Sequence, residues 1–254
     1  MEERRGRFFG PALVLALGAV GCTAILASSM IRIRTSEEII RVVGSARKPI
    51  RSDLIIWRGR VTRNSPDVAL AYTALKNDMD KATHYLVAKG IPAAEISPTA
   101  INIRTLYVKT KNDPEYESSE SNEGTFRQVA GYELSQNVEV RSTKVDTVER
   151  ISRESTELLS QGVKFASQPP MYIFTKLSDL KVTMQAEAAR DAYARASQIA
   201  TNSGCRLGRV RYARMSTPQL TPLYSSAESD GGVDDTTSLD KKITAVVTAG
   251  YAIR

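Results

Sequence analysis

Few residues in this chain could carry out chemistry. His84 is the one imidazole, and Cys22 and Cys205 are the two thiols, in 254 residues. A multi-histidine metal centre is therefore impossible, and a zinc site of Cys and His ligands would have to gather His84, Cys22 and Cys205 from distant stretches. Two cysteines cannot staple a disulfide scaffold. The sequence has no phosphate-cradling glycine loop, GxSxG elbow, HExxH or CxxC. His84 falls two residues before Leu86, about 200° around a helix, so it should face away from that helix's apolar stripe. Asp and Glu could act as acids or bases, but no pair is singled out. These residues predict a protein that is not an enzyme and holds no metal or cofactor.

Cys205 is the one thiol beyond the N-terminal region. It sits between Gly204 and Arg206 at a predicted helix end. The adjacent cation favours thiolate, whereas a helix C-terminus opposes it. An inert, half-buried thiol is the plainer reading; a redox-reactive Cys205 is the alternative.

Lys and Arg total 35 against 28 Asp and Glu, a net +7. Arginines recur on predicted strands: Arg58 and Arg60, then Arg206, Arg209, Arg211 and Arg214. Arg58, Arg60, Arg209 and Arg211 are the candidate residues for an anion, an acidic partner or an anionic lipid. Charge on strand edges also discourages unwanted pairing, which explains most of these arginines without a ligand. Aromatic residues are scarce beside them, with Tyr212 the main one, so nucleic acid is not expected.

Sequence periodicity predicts the elements that must position these residues. Residues 38–47 and 54–61 read as strands, the second with Ile55, Trp57 and Val61 inward and Arg58 and Arg60 outward. Ser65-Pro66-Asp67 opens a helix whose stripe is Val68, Tyr72, Leu75, Met79, Ala82 and Leu86. Lys89-Gly90 closes it. Strands follow over 96–107 and 129–140, then a helix over 145–159 that ends at Gly162. Residues 171–175, just after Pro169-Pro170, read as an edge or bulged strand. A helix over 178–202 should bury Val182, Ala186, Ala189, Tyr193, Ala196 and Ala200. Strands at 207–215 and 243–253 close the chain. The order ββ-α-ββ-α-β-α-ββ implies an α+β fold, a mostly antiparallel sheet with three packed helices. Residues 111–124 carry five acids and one Lys, and 216–240 five acids and no base. Both stretches read as long solvated loops, or as screens for a basic surface.

The N-terminal region predicts a membrane anchor. Residues 1–7 form a basic lead with Arg4, Arg5 and Arg7, and 8–31 carry no charge. As a helix that run is about 36 Å long, enough to cross a hydrocarbon core about 30 Å thick. A cleaved signal peptide would be shorter. A lipidated Cys22 would need a large aliphatic where Ala19 stands. An uncleaved transmembrane anchor fits best, with 32–37 as a linker and 38–254 as the folded domain. The basic lead biases the N-terminus inward. The protein is thus expected at the cytoplasmic membrane, single-pass, with its domain outside or periplasmic.

Four stretches resemble the SIMPL (DUF541) family. Val43-Gly44-Ser45-Ala46, with Ser52-Asp53 beyond it, is similar to the family's opening strand, Ser52 standing where a proline is usual. Leu86 to Ile91 and Glu95 to Thr99 resemble its helix end and the strand that follows. Gly131-Tyr132 through Asn137-Val138-Glu139-Val140 resembles its GY…NxVxV strand. Glu187-Ala188, Ala192, Ala196, Ala200 and Gly204 through Val210 are similar to its long helix and turn. The resemblance spans about residues 40–253. It implies an envelope-exported α+β domain with no established active site. Some relatives assemble into rings, and some are linked to tolerance of oxidative stress. The resemblance therefore implies a non-enzymatic structural or binding module that self-associates.

Overall fold

The computed structural model describes Gly18 and residues 21–23, 39–108, 128–225 and 234–254. The chain forms two α/β layers rather than one. The first is a sheet in the order β1 (Ile39–Arg51), β10 (Asp240–Ile253), β8 (Leu207–Met215), with β9 (Gln219–Pro222) also on β10. The second runs β3 (Ile96–Pro98), β5 (Val129–Ser142), β2 (Leu54–Ser65), β6 (Phe165–Ser167), with β4 (Asn102–Tyr107) also on β5 and β7 (Met171–Ile173) on β2. Every strand pairing is antiparallel. The α+β class and antiparallel pairing match the expectation from sequence; the single sheet does not. Strands β1 and β2 are consecutive but do not pair. Ser52 and Asp53 carry the chain from one layer to the other, and β1 instead pairs the C-terminal β10 along its whole length.

Helix α1 (Val68–Ala88) and helix α2 (Val145–Glu154) cover the second sheet. Asp67 caps α1, its carboxylate accepting from the amides of Ala69 and Leu70. The buried stripe is Ala71, Leu75, Asp78, Met79, Ala82 and Leu86. Val68 and Tyr72, expected inside, are exposed, because the stripe starts one turn later and admits Asp78 as the ion-pair partner of Arg63. Below the helices, Ile55, Trp57 and Val61 are fully buried, as their alternation predicted. Trp57 packs its ring 5.9 Å from that of Phe165 and donates to Ser167 Oγ at 3.0 Å. Helix α2 tightens into a 3-10 turn over Ser155–Gln161 and stops at Gly162, whose φ of 76° favours glycine.

Helix α3 (Leu177–Asn202) covers the first sheet with Met184, Ala188, Ala192, Ala196 and Ala200. Val182 and Tyr193 are exposed, so the expected stripe was rotated. The reason is close approach. A Cβ on Gly44 of β1 would lie 2.3 Å from the Ala188 carbonyl oxygen and the Ala192 amide. Only a row of small residues spaced by four lets the helix sit that close.

Among the described residues no helix is long and apolar enough to cross a membrane. No described helix therefore supports the transmembrane anchor, the single-pass cytoplasmic-membrane location or the membrane partnership expected from 8–31. That stretch lies outside the described residues apart from Gly18 and 21–23. The expectation rested on missing charge. The acidic stretch 111–124 is likewise outside the described residues. The other acidic stretch, 216–240, was misread in part. It contains β9 and the buried Asp235.

Candidate functional site

The candidate arginines do not converge. Arg58 and Arg60 lie on the outer face of the second sheet, opposite Glu139 and Asn137 in register. Arg58 Nε donates to Glu139 Oε2 at 2.7 Å, and Arg141 Nε donates to its other oxygen at 2.6 Å. The bond from Arg58 holds the Glu139 carboxyl below the usual carboxylate range, against an opposing push from burial and with help from Arg141. Arg60 Nε donates to Asn137 Oδ1 at 3.1 Å. The cations of this face are thus engaged from within. Arg209 and Arg211 lie on β8 in the other layer, where the pairing with β10 slips twice.

Cys205 follows the turn at Gly204 (φ 72°) and is half-buried, its Sγ 3.6 Å from the Ser203 carbonyl. His84 is exposed on α1, as its position in the stripe predicted. Among the described residues no group of three His, Cys, Asp or Glu side chains could hold a metal ion.

Sequence reasoning missed the junction between the layers. Lys241 is fully buried there, its Nζ donating to the carbonyls of Tyr172, at 2.7 Å, and Asp235. Burial pulls its pKa down, with Asp235 and Asp234 partly offsetting. The Ser52 amide donates to the Leu239 carbonyl, and the Tyr172 amide to that of Thr236. Beside these bonds an open cavity of about 590 Å³ is lined by Arg51, Ser52, Asp53, Lys144, Asp146 and Thr175, among others. Its carboxylates are occupied: Asp146 pairs with Arg51, and Asp53 accepts from the amide and hydroxyl of Thr175. The cavity is a polar seam with balanced charge.

The outer face of the first sheet is different. Even-numbered residues of β1 from Val42 to Ala46 face α3, so odd-numbered ones face outward. Register then sets out four rows across the sheet: Arg41–Gly250–Tyr212, Val43–Thr248–Arg214, Ser45–Val246, and Arg47–Thr244–Gln219. Arg41, Arg47 and Arg214 stand on these rows. Val43 is 54% exposed. The Arg41 guanidinium lies 5.8 Å from the centroid of the Tyr212 ring, within cation–π range.

The strand edges also differ. Asp191 of α3 accepts from the Ser45 amide at 2.8 Å, which covers the open side of β1. That bond, with the Arg195 contact, holds the Asp191 carboxyl below its usual range. β8 carries Arg209, Arg211 and Arg214 and two register slips. β3, β6 and β7 are three residues each. β4 has six residues and one charge, Arg104, with Ile103 58% and Tyr107 49% exposed.

This is an α+β protein with engaged polar side chains and open sheet surfaces. The chain belongs to the SIMPL family, described as "Protein of unknown function (DUF541)", whose model matches residues 40–251. No curated protein matches the sequence.

Proposed function

We propose that the protein is a non-enzymatic binding module that associates with copies of itself through the edge of β4. The observation that carries this reading is the contrast between β4 and the other edges. A sheet edge offers unpaired amides and carbonyls to any second strand, and proteins normally blunt it with charge, proline, bulges or brevity. β1, β3, β6, β7 and β8 each carry such a device. β4 is flanked instead by exposed Ile103, Tyr107, Val108 and Val129, apolar area that a second copy would cover. The envelope setting implied by the family resemblance belongs to the same reading, and cell fractionation tests it.

Light scattering of the purified full chain across a concentration series tests the association. Mass should rise above that of one chain, and Ile103→Lys with Tyr107→Lys should return it to one chain without unfolding. A wild-type monomer at every concentration overturns the self-association. Turnover in a broad substrate panel that disappears with Cys205→Ser overturns the non-enzymatic part.

A further inference from the structure

We propose that the cavity at the junction of the two layers binds a small, hydroxyl-bearing phosphomonoester, its phosphate group seated on the N-terminus of α2. Binding there does not depend on self-association at β4.

The backbone supplies the seat. Thr143, Lys144, Val145, Asp146 and Thr147 form one continuous part of the cavity wall, and this is where α2 begins. The first bond along the helix runs from the Val148 amide to the Lys144 carbonyl. The amides of Val145, Asp146 and Thr147 precede it and have no carbonyl of the helix to bond. No side chain caps them. Amides left open in this way, with the positive end of the helix dipole behind them, suit a phosphate oxygen.

The side chains around this helix end point to a ligand independently. Ser52 lines the same cavity, is 4% exposed, and its hydroxyl has no hydrogen-bond partner. A buried hydroxyl normally has one, and a ligand oxygen in the cavity would supply it. Arg51 and Lys144 bring two cations to the wall. Arg51 meets Asp146 through Nη2, which leaves most of its N–H fork for a phosphate. The carboxylates of the wall are already bonded, Asp146 to Arg51 and Asp53 to Thr175, so an entering anion does not meet an uncompensated charge. At about 590 Å³ the cavity has the size of a small-molecule site and exceeds a lone oxyanion. Thr143, Thr147 and Thr175 supply hydroxyls around the remaining space, and the carboxylate of Asp53 has lone pairs left for a ligand hydroxyl. These groups favour an organic phosphate that carries hydroxyls over inorganic phosphate.

Calorimetric titration of the full chain with glycerol 3-phosphate, and separately with inorganic phosphate, tests the site. Glycerol 3-phosphate should bind saturably in the millimolar range or tighter, and inorganic phosphate more weakly. Arg51→Gln and Lys144→Ala should each weaken binding about tenfold, the loss of a charge-assisted contact. Ser52→Ala should weaken it about threefold, the worth of one hydrogen bond, without lowering the thermal midpoint, because it removes a buried hydroxyl that is unpaired in the free protein. A Ser52 with a purely structural role would lower the midpoint and leave binding unchanged. Arg60→Gln, on the outer face of the second sheet, should not alter binding, and circular dichroism checks the fold of every variant. Absence of glycerol 3-phosphate binding overturns the proposal, as does binding that survives both Arg51→Gln and Lys144→Ala. Equal affinity for the two ligands also overturns it, since the site would then hold a bare oxyanion. So does binding to phosphatidylglycerol vesicles with none to glycerol 3-phosphate, since the occupant would then be a lipid surface.

Discussion

The Tyr212 ring covers Gly250, one strand away, in the single row of the first sheet that also contains Arg41. Gly250 is buried although it points to the outer face, because the ring covers it. The glycine is needed here for space rather than for backbone freedom. Gly250→Ala should displace the ring and cost about 1–3 kcal/mol, the usual range for overpacking. Tyr212→Ala in the same chain should recover much of that loss, since the clash goes with the ring. Chemical denaturation of the two single variants and the double variant measures the coupling. Additive losses would show that ring and glycine do not meet as described.

Arg63 and Asp78 form the most deeply placed ion pair described. The Asp78 side chain is 3% exposed and that of Arg63 32%, and Arg63 Nη2 also donates to the Gly162 carbonyl at 2.8 Å. Asp78 raises the Arg63 pKa by accepting its hydrogen bond, over the opposing effect of burial. Asp78→Ala leaves a partly buried cation without its acid and should cost about 3–5 kcal/mol. The exposed pair Arg51–Asp146, with side chains 54% and 77% exposed, should give less than about 1 kcal/mol on Asp146→Ala. Equal losses at the two sites would contradict this ranking.

The sequence exposed some of this arrangement and hid the rest for physical reasons. Alternation placed Ile55, Trp57 and Val61 inside and Arg58 and Arg60 outside, because a strand half in water repeats every two residues. β8 was read at its observed bounds, Leu207–Met215. The stripe on α3 was misjudged because alanine occurs at 186, 188, 189, 192, 194, 196 and 200, so small residues suit more than one face. Gly44 selects the face, and its contact lies more than 140 residues away. Pairing of β1 with β10 is equally remote, and the strand read over 38–47 runs on to Arg51 because that pairing continues to Asp240. β9 was lost inside an acidic stretch. Lys241 was lost because Asp240-Lys241-Lys242 reads as a solvated strand start. The arginines were visible as a class, but which of them were engaged depended on register that single-sequence patterns do not carry.

Glu139 connects the outer face of the second sheet to acid sensitivity. Its side chain is 11% exposed and accepts from both Arg58 and Arg141. Its folded pKa is lowered from 4.5, so the folded state binds the proton less readily than the unfolded chain does. The stability it contributes is present above about pH 4.5 and is lost as pH falls through the folded value. Glu139→Gln should lower stability by about 1.5–3 kcal/mol at pH 7, the worth of hydrogen bonds to a charged group. The gap to wild type should close in acid. Urea midpoints from pH 7 to pH 3 test the trend; a gap that stays constant would show that Glu139 does not titrate in this way.

Lys241 gives a pH dependence of the same sign, placed in the alkaline range instead of the acidic one. Its folded pKa is lowered from 10.5, chiefly by burial, while Asp235 and Asp234 act in the other direction. A lowered lysine pKa means that the unfolded chain binds more protons in the window below 10.5, so stability from this site rises with pH there. Below the folded pKa the cost of burying the ammonium applies in full. Replacement by Met removes that cost but leaves the Tyr172 and Asp235 carbonyls without their donor. Each unpaired buried carbonyl costs about 1–3 kcal/mol, so Lys241→Met should be destabilising at neutral pH. Wild type gains from the site as pH rises and the variant does not, so the difference between them should widen from pH 7 to pH 10. Paired denaturation curves at the two values measure it. A difference that shrinks with pH would mean that the ammonium is stabilised, not penalised, at the junction.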